Sequence, residues 1–268
     1  MSKTVGIAGL GAIGRRVAEA LDARIDGLTL VAVSARDAAK AEKTVSAFST
    51  PVAIVPPGEL AAMADVIVEC LPPDRFDDVA VPAVEAGRIF MPLSISALLE
   101  RSALVDRATQ TGARIIVPSG AILGLDAIKA MAEGTLTSVI HVTRKPPGSL
   151  AGAPYLEQNN ISIEGLSEPL LIFKGSVLEG AKHFPKNVNV SVAVSLAGLG
   201  PEKTMLEVWA DPSLERNTHK VVAESDIARI SVEIEGMPAP DNPRTGLITP
   251  YSVIATLRGL VSTLRVGT

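Results

Sequence analysis

Hydrophobic residues in the first 118 positions alternate between short β-branched runs and longer stretches with helical spacing. The run from Val5 to Ala8 predicts a strand, 12–23 predicts an amphipathic helix, and Leu28 to Ser34 predicts a second strand. Continued alternation predicts helices near 38–48, 59–64, 75–86 and 96–111 and strands near 52–55, 66–70, 89–93 and 114–117. This order is typical of a parallel sheet covered by helices.

The pattern changes after residue 138, where strands with alternating polar and apolar positions dominate. They are predicted at 139–143, 170–174, 205–210, 218–223 and 228–234, with helices at 176–182 and 190–199. Such alternation indicates a half-exposed sheet. We therefore predict an α/β protein with a parallel-sheet domain at 1–118 and an α+β domain with an open mixed or antiparallel sheet at 119–244. A helix within 245–268 is expected to return to the first domain.

Composition narrows the range of partners. The 268 residues are 47% hydrophobic and carry a formal net charge of -4, so no basic field attracts nucleic acid or an anionic membrane. The one cysteine, Cys70, cannot form an internal disulfide, which fits a reducing compartment. No secretory signal and no apolar run of about 18 residues is seen. We expect a cytoplasmic protein that binds neither nucleic acid nor membrane.

A glycine-rich turn follows the first predicted strand. Gly9, Gly11 and Gly14 form GxGxxG at the start of a helix, which is the context of a dinucleotide-binding fingerprint. The first glycine permits the turn, the second leaves room for the pyrophosphate, and the third lets the helix pack on the strand. The amides of Ala12 and Ile13 then face the phosphates. The motif therefore predicts that the domain at 1–118 is a dinucleotide-binding Rossmann domain.

The end of the second strand bears on the choice of cofactor. A carboxylate there would bind the ribose hydroxyls of NAD and repel the 2′-phosphate of NADP. The chain instead has Ser34 and, two residues on, Arg36, which suits a 2′-phosphate. We expect NADP to be accepted with NAD possible, although a solvent-exposed arginine stays open as an alternative. Leu71, directly after the fourth strand, is a further candidate cofactor contact.

Five segments of the sequence are distinctive motifs. They are IVPSGAILGLD at 116–126, TRKPP at 143–147, FPKNVNV at 184–190, DP followed by RNTH at 211–219, and DNPRT at 241–245. Together they resemble the signature segments of the L-aspartate dehydrogenase family, and the resemblance spans nearly the whole chain.

That resemblance implies an enzyme that oxidises L-aspartate to iminosuccinate with NAD or NADP. The product would hydrolyse to oxaloacetate and ammonia or enter quinolinate and NAD synthesis, and the reverse reaction is a reductive amination. The resemblance also implies a catalytic and dimerisation role for the second domain and a homodimer. It places the active-site histidine on His219 and contacts to the nicotinamide side of the cofactor on Ala121 and Asn187.

The chemistry of the reaction agrees with a histidine at this position. Hydride leaves the α-carbon only when the amine is neutral, and an imidazole titrates near neutrality. A hydrogen-bonded structural histidine is the alternative for His219. His141, in an apolar strand, and His183, near a helix end, are expected to be structural. No histidine or carboxylate pair has the spacing of metal ligands, so we predict a metal-free site.

The substrate is less closely defined by the sequence. Arg144, Lys145 and Ser119 are candidates to neutralise two substrate carboxylates. The segments 70–73 and 93–97 are bulkier than in the family, so a relative of aspartate is possible. Another amino-acid or imine reductase, a homoserine-dehydrogenase-like enzyme, and a non-catalytic nucleotide-sensing protein stay open as alternatives.

Overall fold

The computed structural model of the chain describes residues 2–184, 188–239 and 242–267. The chain folds into two compact units. The first comprises Met1–Gly120 and Thr249–Arg265, and the second comprises Ala121–Ile248 with the last three residues. Each unit has its own sheet and hydrophobic core.

The first unit contains a six-stranded parallel sheet in the order β3-β2-β1-β4-β5-β6. Its strands are β1 Lys3–Ala8, β2 Leu28–Ser34, β3 Ala53–Ile54, β4 Val66–Glu69, β5 Ile89–Pro92 and β6 Arg114–Ile115. The helices between them are α1 Ala12–Asp22, α2 Ala38–Val45, α3 Leu60–Met63, α4 Asp77–Glu85 and α5 Ser102–Thr111. This arrangement confirms the predicted Rossmann fold.

One helix of this unit differs from its prediction. The segment expected to be a single helix over 96–111 is a 3-10 helix at Ile95–Glu100 followed by α5. The break lies at Arg101, whose backbone leaves the helical region (φ -130, ψ 45). Its guanidinium donates to the carbonyl of Ala97 and, through two nitrogens, to the carboxylate of Asp77. Hydrophobic periodicity carries no information about such a polar anchor, so the prediction was wrong there.

The second unit contains a five-stranded mixed sheet in the order β11-β10-β7-β9-β8. Its strands are β7 Leu136–Lys145, β8 Leu170–Ser176, β9 Met205–Ala210, β10 Asn217–Ser225 and β11 Arg229–Gly236, and a separate pair is β12 Pro238–Ala239 with β13 Asn242–Gly246. The pairing of β7 with β9 is parallel and the other pairings are antiparallel. The sheet is therefore of the mixed kind.

Helices cover one face of this sheet. They are α6 Leu125–Ala132, α7 Pro154–Gln158, α8 Val177–His183 and α9 Asn189–Ala197. Ile128 of α6 and Val194 of α9 join Val139 and Val221 of the sheet in one buried cluster. Hydrophobic periodicity predicted neither α6 nor α7, because helices of only 8 and 5 residues give too few turns for a clear pattern.

The final helix, α10 Ile248–Val261, packs in the core of the first unit. Val253 and Leu257 are fully buried in the cluster that contains Val5 and Ile7 of β1. Across the residues that the structure describes, no helix is long and apolar enough to cross a membrane.

Candidate active site

The glycine turn after β1 is sterically constrained at two positions. Gly9 has a left-handed backbone (φ +98), and a Cβ there would lie 2.6 Å from the carbonyl oxygen of Cys70. A Cβ at Gly14 would lie 1.9 Å from the carbonyl oxygen of Gly9. Both contacts involve backbone atoms and cannot relax cheaply. Only glycine therefore permits this turn and the close packing of α1 on β1.

Gly11 differs from the other two glycines because open space surrounds it. A Cβ at Gly11 would meet no atom within 4 Å, and the residue is exposed at the N-terminus of α1. The first amide bonded along this helix is that of Arg15, to the carbonyl of Gly11. The amides of Ala12, Ile13 and Gly14 precede it and have no carbonyl within the helix. The turn thus fits the pyrophosphate of a dinucleotide, which needs close backbone approach and amide donors.

The end of β2 lies beside this turn. The amide of Gly9 donates to the carbonyl of Ser34 over 2.7 Å. Ser34 is buried and Arg36 is exposed. The nearby carboxylate of Asp37 accepts from the amide of Lys40 and caps α2. The carboxylate in this loop is therefore used to cap the helix that follows it.

A buried carboxylate joins the ends of β4 and β5. Glu69 is fully buried and accepts from the amides of Leu71, Leu93 and Ser94 and from the Ser94 hydroxyl. Burial raises the pKa of this carboxyl, and the hydrogen bonds from Ser94, Leu71 and Leu93 oppose that rise. Because Leu71 is one of its partners, Glu69 holds the loop that carries this predicted cofactor contact. The glutamate thus has a structural role that residue spacing alone did not reveal.

In the second unit, alternate residues of β7 face the helices. Val139, His141, Thr143 and Lys145 are all buried on that face, and the side chains change from apolar to polar along the strand. His219 of β10 is paired with Thr143 and is 6% exposed. A polar group of buried side chains thus lies at one end of an otherwise apolar face.

The two histidines of this group are in contact. His141 Nε2 lies 3.3 Å from His219 Nδ1, and the stacked rings have centroids 5.4 Å apart. His141 Nδ1 lies 2.9 Å from the hydroxyl of Ser191 on α9. This contact uses Nδ1 of His219, so Nε2 is the ring nitrogen that does not take part in it. His141, predicted from its apolar strand to be structural, is therefore a direct neighbour of His219.

Burial keeps both imidazoles neutral. It lowers the pKa of His141 to about 3, with a further contribution from the charge of Lys145. Burial also places the pKa of His219 well below its usual range, aided by His141 and Lys145. The pKa of Lys145 itself is lowered by burial to about 8. At pH 7 this group therefore combines one cation with two neutral rings.

The candidate carboxylate-binding residues are separated by the sheet. Lys145 lies on the histidine face, whereas Arg144 points to the opposite face, where its guanidinium lies 3.0 Å from Asp211 and 5.5 Å from the Trp209 ring centroid. Arg144 is thus paired with Asp211 on the face of the sheet away from His219. Ser119 is half-buried in the loop after β6.

The remaining predicted site residues have different outcomes. Ala121 lies in a turn at the start of the second unit, and Asn187 lies outside the described residues. His183 ends α8 and packs against Tyr155, with ring centroids 4.8 Å apart. Within the described ranges, no cluster of three or more His, Cys, Asp or Glu side chains is arranged to hold a metal ion.

Comparisons with known proteins bear on the whole chain. Residues 126–260 match the family model "Aspartate dehydrogenase, C-terminal", and residues 9–118 match "Homoserine dehydrogenase, NAD binding domain". The chain is 48% identical to an L-aspartate dehydrogenase of Bradyrhizobium diazoefficiens, over 98% of this chain and 94% of the relative. It is 46% identical to L-aspartate dehydrogenase 3 of Bordetella bronchiseptica, over 98% of this chain and 97% of that relative.

A solved structure agrees with these matches. The crystal structure of aspartate dehydrogenase from Thermotoga maritima is 26% identical, with a TM-score of 0.75 over 100% of both chains. A homoserine dehydrogenase from Thiobacillus denitrificans, 12% identical with a TM-score of 0.62, shares the fold. On near full-length identity, a matching family model and a matching structure, this chain belongs to the L-aspartate dehydrogenase family.

Proposed function

We propose that this chain is a nicotinamide-dependent L-aspartate dehydrogenase, which oxidises L-aspartate to iminosuccinate and catalyses the reverse reductive amination. The observation that carries the proposal is the 48% identity to such an enzyme over 98% of the chain. The buried histidine group in the second unit and the glycine turn in the first supply residues suited to the reaction. The nicotinamide, when bound, accepts the hydride from the α-carbon.

The role proposed for His219 follows from its protonation state. The substrate ammonium must lose a proton before its nitrogen lone pair can form the imine. Burial keeps the imidazole of His219 neutral, so one of its ring nitrogens has a free lone pair. We propose that this nitrogen is Nε2 and that it accepts the proton. Lys145, on the same face, supplies a positive charge for a substrate carboxylate. Loss of a general base typically lowers a rate by about 10²- to 10⁴-fold.

The cofactor site is proposed at the glycine turn. Gly9, Gly11 and Gly14 with the amides of Ala12 and Ile13 would hold the pyrophosphate, and Ser34 and Arg36 would hold the adenosine ribose. Leu71, Ala121 and Asn187 are proposed as further contacts. The carboxylate of Asp37 caps α2. We propose that the neighbouring Arg36 binds a 2′-phosphate, so that NADP is accepted and NAD is also possible.

We also propose a homodimer formed through the sheet face opposite the histidines. Ile140, Val142, Val222, Met205 and Trp209 lie half-buried on that face. Light scattering after size exclusion should give a dimer, and Val142→Asp should shift it toward monomer. Val105→Asp, at an exposed position of α5, is the control and should leave the mass unchanged. A monomeric parent protein would contradict the dimer.

We also propose that the protein works in the cytoplasm. Its one cysteine, the half-buried Cys70, cannot form an internal disulfide, which fits a reducing compartment.

A direct assay tests the activity. Purified protein is mixed with L-aspartate or related amino acids and with NAD or NADP, and reduced nicotinamide is followed by its absorbance. We expect turnover with L-aspartate and a severe loss for His219→Ala. Glu224→Ala, on the same strand and paired with Arg229, is the control and should retain activity. Tight binding of reduced cofactor with no turnover of any amino acid would instead indicate a nucleotide-sensing protein.

A further inference from the structure

A row of three buried polar side chains ends at His219. Ser191 is 0% exposed, His141 1% and His219 6%, and they come from α9, β7 and β10. The row is continuous, because His141 contacts Ser191 through Nδ1 at 2.9 Å and His219 through Nε2 at 3.3 Å. Each ring nitrogen of His141 therefore faces one defined partner.

A neutral imidazole has one donor nitrogen and one acceptor nitrogen, so the row allows two arrangements. In the first, His219 Nδ1–H donates to His141 Nε2, and His141 Nδ1–H donates to Ser191 Oγ. In the second, Ser191 donates to His141 Nδ1, and His141 Nε2–H donates to His219 Nδ1. Only the first leaves a lone pair on His219 Nε2.

Proton transfer from the substrate selects between them. When a substrate ammonium gives a proton to His219 Nε2, the amine becomes neutral and His219 becomes an imidazolium with protons on both nitrogens. Its Nδ1–H then requires an acceptor, which His141 Nε2 provides only in the first arrangement. His141 stays neutral throughout, since burial lowers its pKa to about 3. The first arrangement thus serves His219 both before and after it takes the proton.

We propose that His141 and Ser191 are positioning residues that hold the proton of His219 on Nδ1 and so keep Nε2 available as the base. This inference rests on the proposed function of His219. The neighbouring Lys145 adds positive charge near both rings, which disfavours protonation of either imidazole to an imidazolium before substrate binds. Fixing a histidine tautomer through its second nitrogen is a known way to orient a catalytic imidazole.

Nuclear magnetic resonance of ¹⁵N-histidine-labelled protein tests the tautomer without substrate or cofactor. The chain has three histidines, and His183→Gln and His141→Gln assign the signals. We expect His219 to be protonated on Nδ1 and unprotonated on Nε2 at neutral pH, and His141 to have the same tautomer. A parent protein with the His219 proton on Nε2 would overturn the proposal.

Substitutions test the consequence for turnover. His141→Phe removes the acceptor for the Nδ1–H of His219. The signal of the Nδ1–H tautomer should then disappear or be accompanied by that of the Nε2–H tautomer. The kcat should fall about 10²-fold, and the Kd of the cofactor should not change. His141→Gln restores an oxygen near the Nε2 position and should recover part of the rate. Ser191→Ala should also lower kcat, whereas Ser195→Ala, a buried serine of the same helix bonded to the carbonyl of Val192, should not.

The outcomes separate this inference from the proposed function. If the parent protein does not oxidise aspartate, the function fails, while the tautomer measurement still decides the role of His141. If the parent turns over and His141→Phe keeps its rate and its His219 tautomer, the positioning role fails and the function stands. Should His141→Phe not fold, Ser191→Ala against Ser195→Ala decides, and equal rates for that pair would reject the proposal.

Discussion

Arg144 and Lys145 are adjacent in the sequence, yet their side chains lie on opposite faces of the same sheet. Lys145 is buried beside His141 and His219, whereas Arg144 forms an ion pair with Asp211 at 3.0 Å. Strand geometry sends successive side chains to opposite faces, so two cations that look equivalent in TRKPP have different surroundings. Removing one or the other should therefore have different effects.

Lys145→Met should weaken aspartate binding, because it removes the positive charge from the histidine face. A charged hydrogen bond contributes about 1.5–3 kcal/mol, so KM for L-aspartate should rise about 10- to 100-fold while KM for the cofactor stays the same. Arg144→Ala is the matched control. It should lower stability, because the buried carboxylate of Asp211 loses its ion-pair partner, and it should leave KM for aspartate unchanged. Equal effects on KM from the two variants would remove Lys145 from the substrate site.

The charge of Lys145 also predicts a pH dependence. Its pKa of about 8 means that the ammonium is charged below that value and neutral above it. KM for aspartate in the parent protein should therefore rise as the pH increases through about 8. The same titration with Lys145→Met should show no rise in this range, and an identical rise in both proteins would assign the effect to another group.

Acid should destabilise the second unit through its buried histidines. The pKa values of His141 and His219 are lowered in the folded state, so below pH about 6.5 the unfolded chain binds protons that the folded chain excludes. The free energy of unfolding is therefore highest above about pH 6.5. Below it, each histidine lowers that free energy by up to about 1.4 kcal/mol per pH unit, and for His141 this continues down to about pH 3. Urea unfolding followed by fluorescence of the one tryptophan, Trp209 on β9, reports this unit. His141→Gln should reduce the slope, whereas a slope equal to that of the parent would contradict the assignment.

Gly11→Ala and Gly14→Ala should separate cofactor binding from folding. Open space around Gly11 and its ordinary backbone (φ -73) let alanine fold normally, but the methyl group would occupy the pyrophosphate position. We expect an unchanged thermal midpoint and cofactor binding weakened by about tenfold or more, which corresponds to about 1.4 kcal/mol. Gly14→Ala should instead lower the thermal midpoint. Undiminished cofactor affinity in Gly11→Ala would place the pyrophosphate elsewhere.

Arg36→Ala should weaken NADP binding more than NAD binding. The loss of a charged partner for the 2′-phosphate should raise the Kd of NADP about 10- to 100-fold and leave that of NAD nearly unchanged. Fluorescence titration with each reduced cofactor measures both values. Arg114→Ala, at an exposed arginine of β6, is the control. Equal weakening toward the two cofactors would exclude a 2′-phosphate role for Arg36.

Glu69→Gln should loosen the loops after β4 and β5. The amides of Leu93 and Ser94 share one carboxylate oxygen of Glu69, and an amide side chain cannot satisfy all the donors that converge there. A donor left buried without an acceptor costs about 1–3 kcal/mol. Thermal unfolding followed by circular dichroism should show the loss, and Glu59→Gln, at an exposed position, should show none.

Local features of the sequence were enough to predict the first unit and its glycine turn. The turn needs Gly9 and Gly14 because atoms within a few residues or on the adjacent strand exclude a Cβ, and the strand–turn–helix order is visible in the hydrophobic pattern. The family resemblance added His219 and the kind of reaction. These properties are encoded by short stretches whose geometry follows from chain connectivity and sterics.

Tertiary structure alone decided the surroundings of His219. His141 lies 78 residues from His219 and 50 residues from Ser191 in the sequence, and neither spacing forms a recognisable motif. Their contact depends on the register between β7 and β10 and on the helix that covers that face. Whether a histidine in an apolar strand is structural or part of a site depends on what the pairing of strands brings beside it. Strand pairing is set by packing over the whole unit, which is why periodicity placed His141 on a strand but could not identify its neighbours.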